Sequence, residues 1–182
     1  MVRAAVLLTT LLGLSSALCG QDSLPLAKVQ RVSVAPISTV QVRPGSTAPV
    51  RMTFRVMPGF HINSNKPSSE LLIPTAVKFE VPNDISIGKI EYPAGKEYSF
   101  SFSPDEKLVV YSGAFTVRAL VIATKEAPHG PFRVRGALKY QACDNRACYP
   151  PATVPVEFNV NVGKPVPKKV HKNPGQSPHI HK

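Results

Sequence analysis

At 182 residues the chain has room for about one domain between a leader and a tail, and such a domain is large enough to build a core without a covalent staple. Its formal net charge of +11 favours acidic partners or headgroups, yet basic and aromatic residues are not interleaved in any reading motif, which excludes nucleic acid as the expected partner. Nineteen prolines argue against a helical architecture, because an interior proline removes a hydrogen bond and clashes with the preceding turn.

Met1 to Leu18 reads as a secretory signal: Arg3 supplies the basic end, Ala4 to Leu14 the apolar run, and Ser15-Ser16-Ala17 the small-residue cleavage region. Two exits compete. Cleavage after Ala17 releases a secreted protein. Ala17-Leu18-Cys19-Gly20 also resembles a degenerate bacterial lipoprotein box, which makes Cys19 a candidate lipid anchor, although Leu18 departs from the small residue wanted before the cysteine. The expected location is therefore periplasmic or secreted, with membrane tethering as the variant. No later run is long and apolar enough for a spanning helix. The leader is assigned to residues 1–19, a linker to 20–28, the domain to 29–163 and a tail to 164–182.

From Val29 the hydrophobic period is two. Val50, Met52, Phe54 and Val56 alternate with Arg51, Thr53 and Arg55. Leu108 to Tyr111 and Ala114 to Ala123 are further strand segments, the second apolar enough to lie centrally. Phe132, Val134, Gly136, Leu138 and Tyr140 alternate with Arg133, Arg135, Ala137 and Lys139, and Val154 to Val162 repeats the pattern. Each is a strand with one buried and one wet face. Pro44-Gly45, Pro58-Gly59, Pro82-Asn83-Asp84, Pro93-Ala94-Gly95, Ser112-Gly113 and His129-Gly130-Pro131 supply the turns. The expected fold is all-β, an antiparallel β-sandwich. The tail, dominated by Pro, Lys, Gly, Gln and Ser, buries too little apolar surface to offset its ordering entropy and is expected to be disordered. His171, His179 and His181 within it form at most a weak metal-binding tract.

Cys143 and Cys148 stand at a strand-to-strand connection with four residues between them. Thiols this close can meet the distance limits of a disulfide. Alone they are too few for a structural zinc site, and no metal or other cofactor is assigned. Two roles remain open for the pair at this level: a passive staple in a binding module, whose loops or sheet edges hold a partner, or a working redox centre. A soft-metal site using Met52, Met57, His61 and the thiols would suit Cu(I), but Met52 has the inward parity of its strand, so core packing explains it more simply.

The segment Gly136-Ala-Leu-Lys-Tyr-Gln-Ala-Cys-Asp-Asn-Arg-Ala-Cys-Tyr-Pro-Pro resembles the active-site region of the N-terminal periplasmic domain of the thiol:disulfide interchange protein DsbD. Gly59-Phe-His-Ile-Asn-Ser-Asn-Lys-Pro with Leu72-Ile73-Pro74-Thr75 is similar to the strand and loop beside the redox pair in that family, and a looser match runs from Tyr92-Pro93 to Tyr111-Ser112-Gly113. The resemblance implies an immunoglobulin-like sandwich acting as a protein-disulfide reductase in periplasmic electron transfer. Its dithiol would reduce disulfide isomerases and the thioredoxin-like proteins of cytochrome c maturation. With no membrane domain or C-terminal thioredoxin domain in this chain, the electron donor would be a separate membrane protein. By carry-over, Cys148 is the exchanging sulfur and Cys143 the resolving one. His61 and Asn63 fall beside the pair, His61 as an imidazolium that would lower a cysteine pKa. Tyr140 and Tyr149 would wall the pocket, although the inward parity of Tyr140 equally fits core packing. Phe100 and Phe102 are the candidate shields of a cap loop over the disulfide.

Overall fold

A computed structural model describes residues 30–100 and 103–163 of the chain, so the leader, the linker, the tail and Phe102 lie outside the described residues. Twelve strands follow in order. They are β1 (Val32–Val34), β2 (Val40–Val42), β3 (Thr47–Val56), β4 (His61–Asn63), β5 (Ala76–Glu80) and β6 (Ile85–Glu91). Then come β7 (Lys96–Phe100), β8 (Ser103–Tyr111), β9 (Ala114–Ala123), β10 (Gly130–Tyr140), β11 (Ala142–Cys143) and β12 (Ala152–Val162). Among the described residues there is no helix.

The strands form two main sheets, ordered β1-β3-β9-β6 and β2-β12-β10-β5, and a smaller third, ordered β11-β4-β8-β7. The alternating residues of β3, β9, β10 and β12 turn inward as their period requires. Met52, Phe54, Val117, Val121, Val134, Leu138, Val156 and Val160 belong to one continuous apolar cluster shared by both main sheets. Burying side chains of this size contributes roughly 1.5–3 kcal/mol each, which is the main force holding the sheets face to face. This is the immunoglobulin-like sandwich. One pairing departs from an all-antiparallel arrangement: β2 lies parallel to β12, with Val40 opposite Val160 and Val42 opposite Val162. Met52 is fully buried in the cluster, as its parity implies.

Two glycines are demanded by geometry. Gly113 closes the tight turn between β8 and β9 at a φ of 61°, a left-handed conformation that L side chains rarely adopt. Gly136 faces Phe79 across the β10–β5 pair, and a Cβ there would collide with the Lys78 carbonyl and the Phe79 ring. The third sheet positions the cysteines. β4 pairs with β8 on one side and with the two-residue β11 on the other, so Ile62 stands between Tyr111 and Ala142.

Candidate functional site

At the end of β10 the chain passes through Gln141 into β11, where Cys143 lies directly opposite His61 on β4. It then turns over Asp144 to Ala147 and returns at Cys148, which forms an isolated antiparallel bridge with Cys143. The two cysteines are joined as a disulfide, with their Cα atoms 4.0 Å apart. Their environments differ sharply. Cys143 is fully buried, whereas Cys148 is exposed on the loop. Cys148 is therefore the more accessible of the two residues.

The turn between the cysteines is held by Asp144. Its Oδ1 accepts hydrogen bonds from the backbone N–H groups of Arg146 at 2.8 Å and Ala147 at 2.9 Å, and its own N–H donates to the Ala147 carbonyl at 3.0 Å. This is the self-capping by which aspartate favours turns. The Tyr149 hydroxyl donates to the other carboxylate oxygen at 2.7 Å. That bond, followed by the two backbone donors, lowers the Asp144 pKa to about 2. The same bond raises the Tyr149 pKa.

Tyr149 packs in turn against Arg31 and Phe60. The Arg31 guanidinium lies 3.7 Å from its ring centroid and 5.0 Å from that of Phe60, and the Phe60 and Tyr149 rings are 5.8 Å apart. These are cation–π distances. Backbone and amide bonds complete the loop. The Tyr149 N–H donates to the Ala142 carbonyl at 2.8 Å, and Gln141 Nε2 donates to the Tyr149 carbonyl at 3.2 Å.

The structure places each described residue expected from sequence. His61 and Asn63 are brought to the cysteine strand, both buried on β4. Asn63 Nδ2 donates to the Ile73 carbonyl at 3.0 Å and to Gln141 Oε1 at 3.4 Å, which ties the 64–75 loop to the β10–β11 connection. Phe100, at the end of β7, stacks on the His61 imidazole with ring centroids 3.9 Å apart. Tyr149 lines the loop, as described. Tyr140 is 1 % exposed within the apolar cluster, its hydroxyl accepting the Arg31 N–H at 3.3 Å, and it lines a cavity with Arg31 and Pro150. Its inward parity decided its place.

The expectation of an imidazolium at His61 meets a physical obstacle. Burial lowers its pKa below the ordinary 6.5, and the opposing pull of the Asp144 carboxylate is the smaller effect. In the disulfide form the neutral ring is favoured. Its Nε2 is buried without a hydrogen-bond partner among the described residues, as is Asn63 Oδ1.

Arg31, Phe60 and Asp144 were not singled out from sequence, and Gln141 entered only as part of the matching segment. The Asp-Asn dipeptide between the cysteines was a readable turn signal. The arginine carried no local signal, because its contacts to Phe60 and Tyr149 exist only in the fold.

An immunoglobulin-like sandwich bearing a half-buried, half-exposed disulfide on a capped loop defines a β-sheet protein of thiol–disulfide interchange. The chain belongs to the family of the N-terminal domain of the thiol:disulfide interchange protein DsbD, whose family model matches residues 28–159. Among solved structures it is similar to the reduced N-terminal domain of Neisseria meningitidis DsbD. The identity is 23%, covering 71% of this chain and 85% of that one, with a TM-score of 0.43. The same Neisseria domain in complex with the PilB N-terminal domain matches at 23% identity over 76% of this chain and 87% of that one, with a TM-score of 0.39. The N-terminal periplasmic domain of Proteus mirabilis ScsB matches at 13% identity and a TM-score of 0.49, covering 80% of this chain and 52% of that one. No curated protein matches the chain.

Proposed function

We propose that this domain is an extracytoplasmic electron carrier whose Cys143–Cys148 dithiol reduces the disulfides of thioredoxin-like proteins or disulfide isomerases. The observation that carries the reading is the asymmetry of the pair: one sulfur exposed on a capped loop, the other buried behind it. Thiol–disulfide exchange needs one accessible thiolate and a second thiol near enough to resolve the mixed disulfide. In the reduced protein the Cys148 thiolate attacks the partner disulfide, and one partner sulfur leaves as a thiolate. Cys143 then attacks Cys148 Sγ, closing the bond between them and releasing the second partner sulfur. Two electrons pass to the partner, and the oxidised domain is re-reduced by a separate membrane-borne donor. Family membership and the signal-like leader support a periplasmic setting, with Cys19 as the candidate anchor.

Cys143→Ser tests the assignment. It is expected to accumulate mixed disulfides through Cys148 with oxidised thioredoxin-like proteins. Trapping by Cys148→Ser instead would reverse the roles. A reduction potential well below about −300 mV would mark the pair as a structural staple.

A further inference from the structure

We propose that His61, as a neutral imidazole, takes the proton from the buried thiol of Cys143 when that residue resolves the mixed disulfide. The proposal rests on the interchange reading of the pair and adds the group that makes its second step possible at neutral pH.

A buried thiol faces a difficulty that its exposed partner does not. Only the thiolate is a good nucleophile, and burial in apolar surroundings disfavours that charge. Cys143 is fully buried, so water has no direct access to accept its proton. A base must come from the protein.

Register supplies one. His61 is the residue directly opposite Cys143 in the β4–β11 pair, and directly opposed residues project to the same face with Cβ atoms about 4.5–5.5 Å apart. The imidazole is 5 % exposed, and Nε2 is buried without a hydrogen-bond partner among the described residues. A buried polar atom without a partner calls for an explanation. A thiol proton donor that exists only in the reduced protein provides it, since in the disulfide form Cys143 has no hydrogen to donate. Phe100, stacked on the ring, holds it in place and keeps water off.

The groups around the ring suit a base. β8 brings Val110 to the face of β4 that carries His61, because Val110 stands opposite Asn63, and β7 brings Phe100. From the β11 side the ionised neighbour acting on His61 is Asp144, whose pull is outweighed by burial, so the ring is uncharged and able to accept a proton at pH 7. An ionised Asp144 also stabilises the imidazolium that forms.

The step balances without another reactant. The Cys143 S–H proton passes to His61 Nε2. The Cys143 sulfur bonds to Cys148 Sγ, and the mixed disulfide breaks. The partner thiolate leaves with the electron pair, to be protonated by His61 or by solvent.

The experiment follows release of thionitrobenzoate in stopped flow after the reduced domain meets one equivalent of dithiobis-nitrobenzoate. The first release reports attack by Cys148 and the second reports closure by Cys143. In the wild type, closure is expected to be level already at pH 6.5, the ordinary histidine value that burial keeps His61 below, and well under the thiol range near 8.5. His61→Phe keeps a ring on Phe100, and His61→Gln keeps a polar side chain that does not titrate. Both are expected to slow closure at pH 7 by at least about tenfold while leaving the first release unchanged. Their closure rate should also climb with pH into the thiol range. Closure changed by less than about twofold in the variants overturns the assignment. So does wild-type closure that keeps rising through pH 8. If His61→Phe does not fold, the wild-type profile and His61→Gln decide. A packing role alone would move both releases or neither. Because the probe is a small disulfide, refusal of electrons by thioredoxin-like proteins would sink the carrier reading and leave the His61 assignment to stand on closure alone.

Discussion

A redox carrier must stay folded in both of its states, and the geometry of the pair sets how much stability reduction removes. Cys143 and Cys148 are separated by only five positions, and Cys143 stands outside the continuous apolar cluster that joins the sheets. Closing so short a loop restricts the unfolded chain little: for about six residues the chain-entropy relation gives roughly 2 kcal/mol at 25 °C. The sandwich from β1 to β12 holds roughly 130 residues, so its unfolding entropy of about 0.27 kcal/mol per kelvin turns that loss into a Tm lower by about 8 °C. The assay is thermal unfolding of the oxidised domain, the same protein in dithiothreitol, and the Cys143→Ser/Cys148→Ser double variant. The same free energy, read the other way, makes the folded pair about 45 mV harder to reduce than the pair in guanidinium-unfolded chain, which thiol counting in redox buffers measures. A reduced domain that is unfolded at 25 °C, or a Tm lower by more than about 20 °C, would refute this reasoning, because the disulfide would then be a staple the core cannot do without.

Three further outcomes are expected. Tyr149→Phe removes the largest cause of the depressed Asp144 pKa, which should rise from about 2 toward 3.8 when followed by carboxyl-carbon NMR. Because the folded value lies below the unfolded one, the contribution of this carboxylate to stability is present above about pH 4 and lost as pH falls toward 2; the variant should show a smaller loss over that window in acid titrations. Gly136→Ala forces a methyl against the Lys78 carbonyl and Phe79, and should destabilise by about 1–3 kcal/mol in urea unfolding with an unchanged m-value. Phe100→Ala uncovers His61, so its pKa should move up toward 6.5 in proton NMR, since burial is the main cause of its depression.

The long strands were legible because each keeps one face on the core for many residues. Ala114 to Ala123 runs as read, and β3, β10 and β12 differ from the reading only at their ends. The short strands were not. β1, β2, β4 and β11 have three residues or fewer, too few to display a period. β6 breaks its alternation at an irregularity between Ile87 and Ile90, and β7 exposes four of its five residues, so neither carries a two-residue pattern. At the site, the cysteine segment and the His61 strand could be read as motifs. The Arg31 clamp could not, because a cation on an aromatic face is a product of the fold. The charge state of His61 also escaped the sequence, which names a titratable ring but not the burial that decides its proton.

The course of the last strand fixes where the domain can be held without hindering it. β12 starts at Ala152, opposite Tyr140 at the disulfide end, and runs eleven residues before leaving beside Val42. At about 3.3 Å per residue that is roughly 35 Å of travel away from Cys148. Arg31, by contrast, packs on Tyr149, one residue from Cys148. A tether joined upstream of Arg31 therefore keeps Cys148 close to whatever it is tied to and raises its effective concentration there. One joined downstream of Gly163 leaves that sulfur at the far tip, free to sweep for distant partners. For immobilisation on an electrode or a bead, the downstream end is the one that leaves the disulfide facing solution.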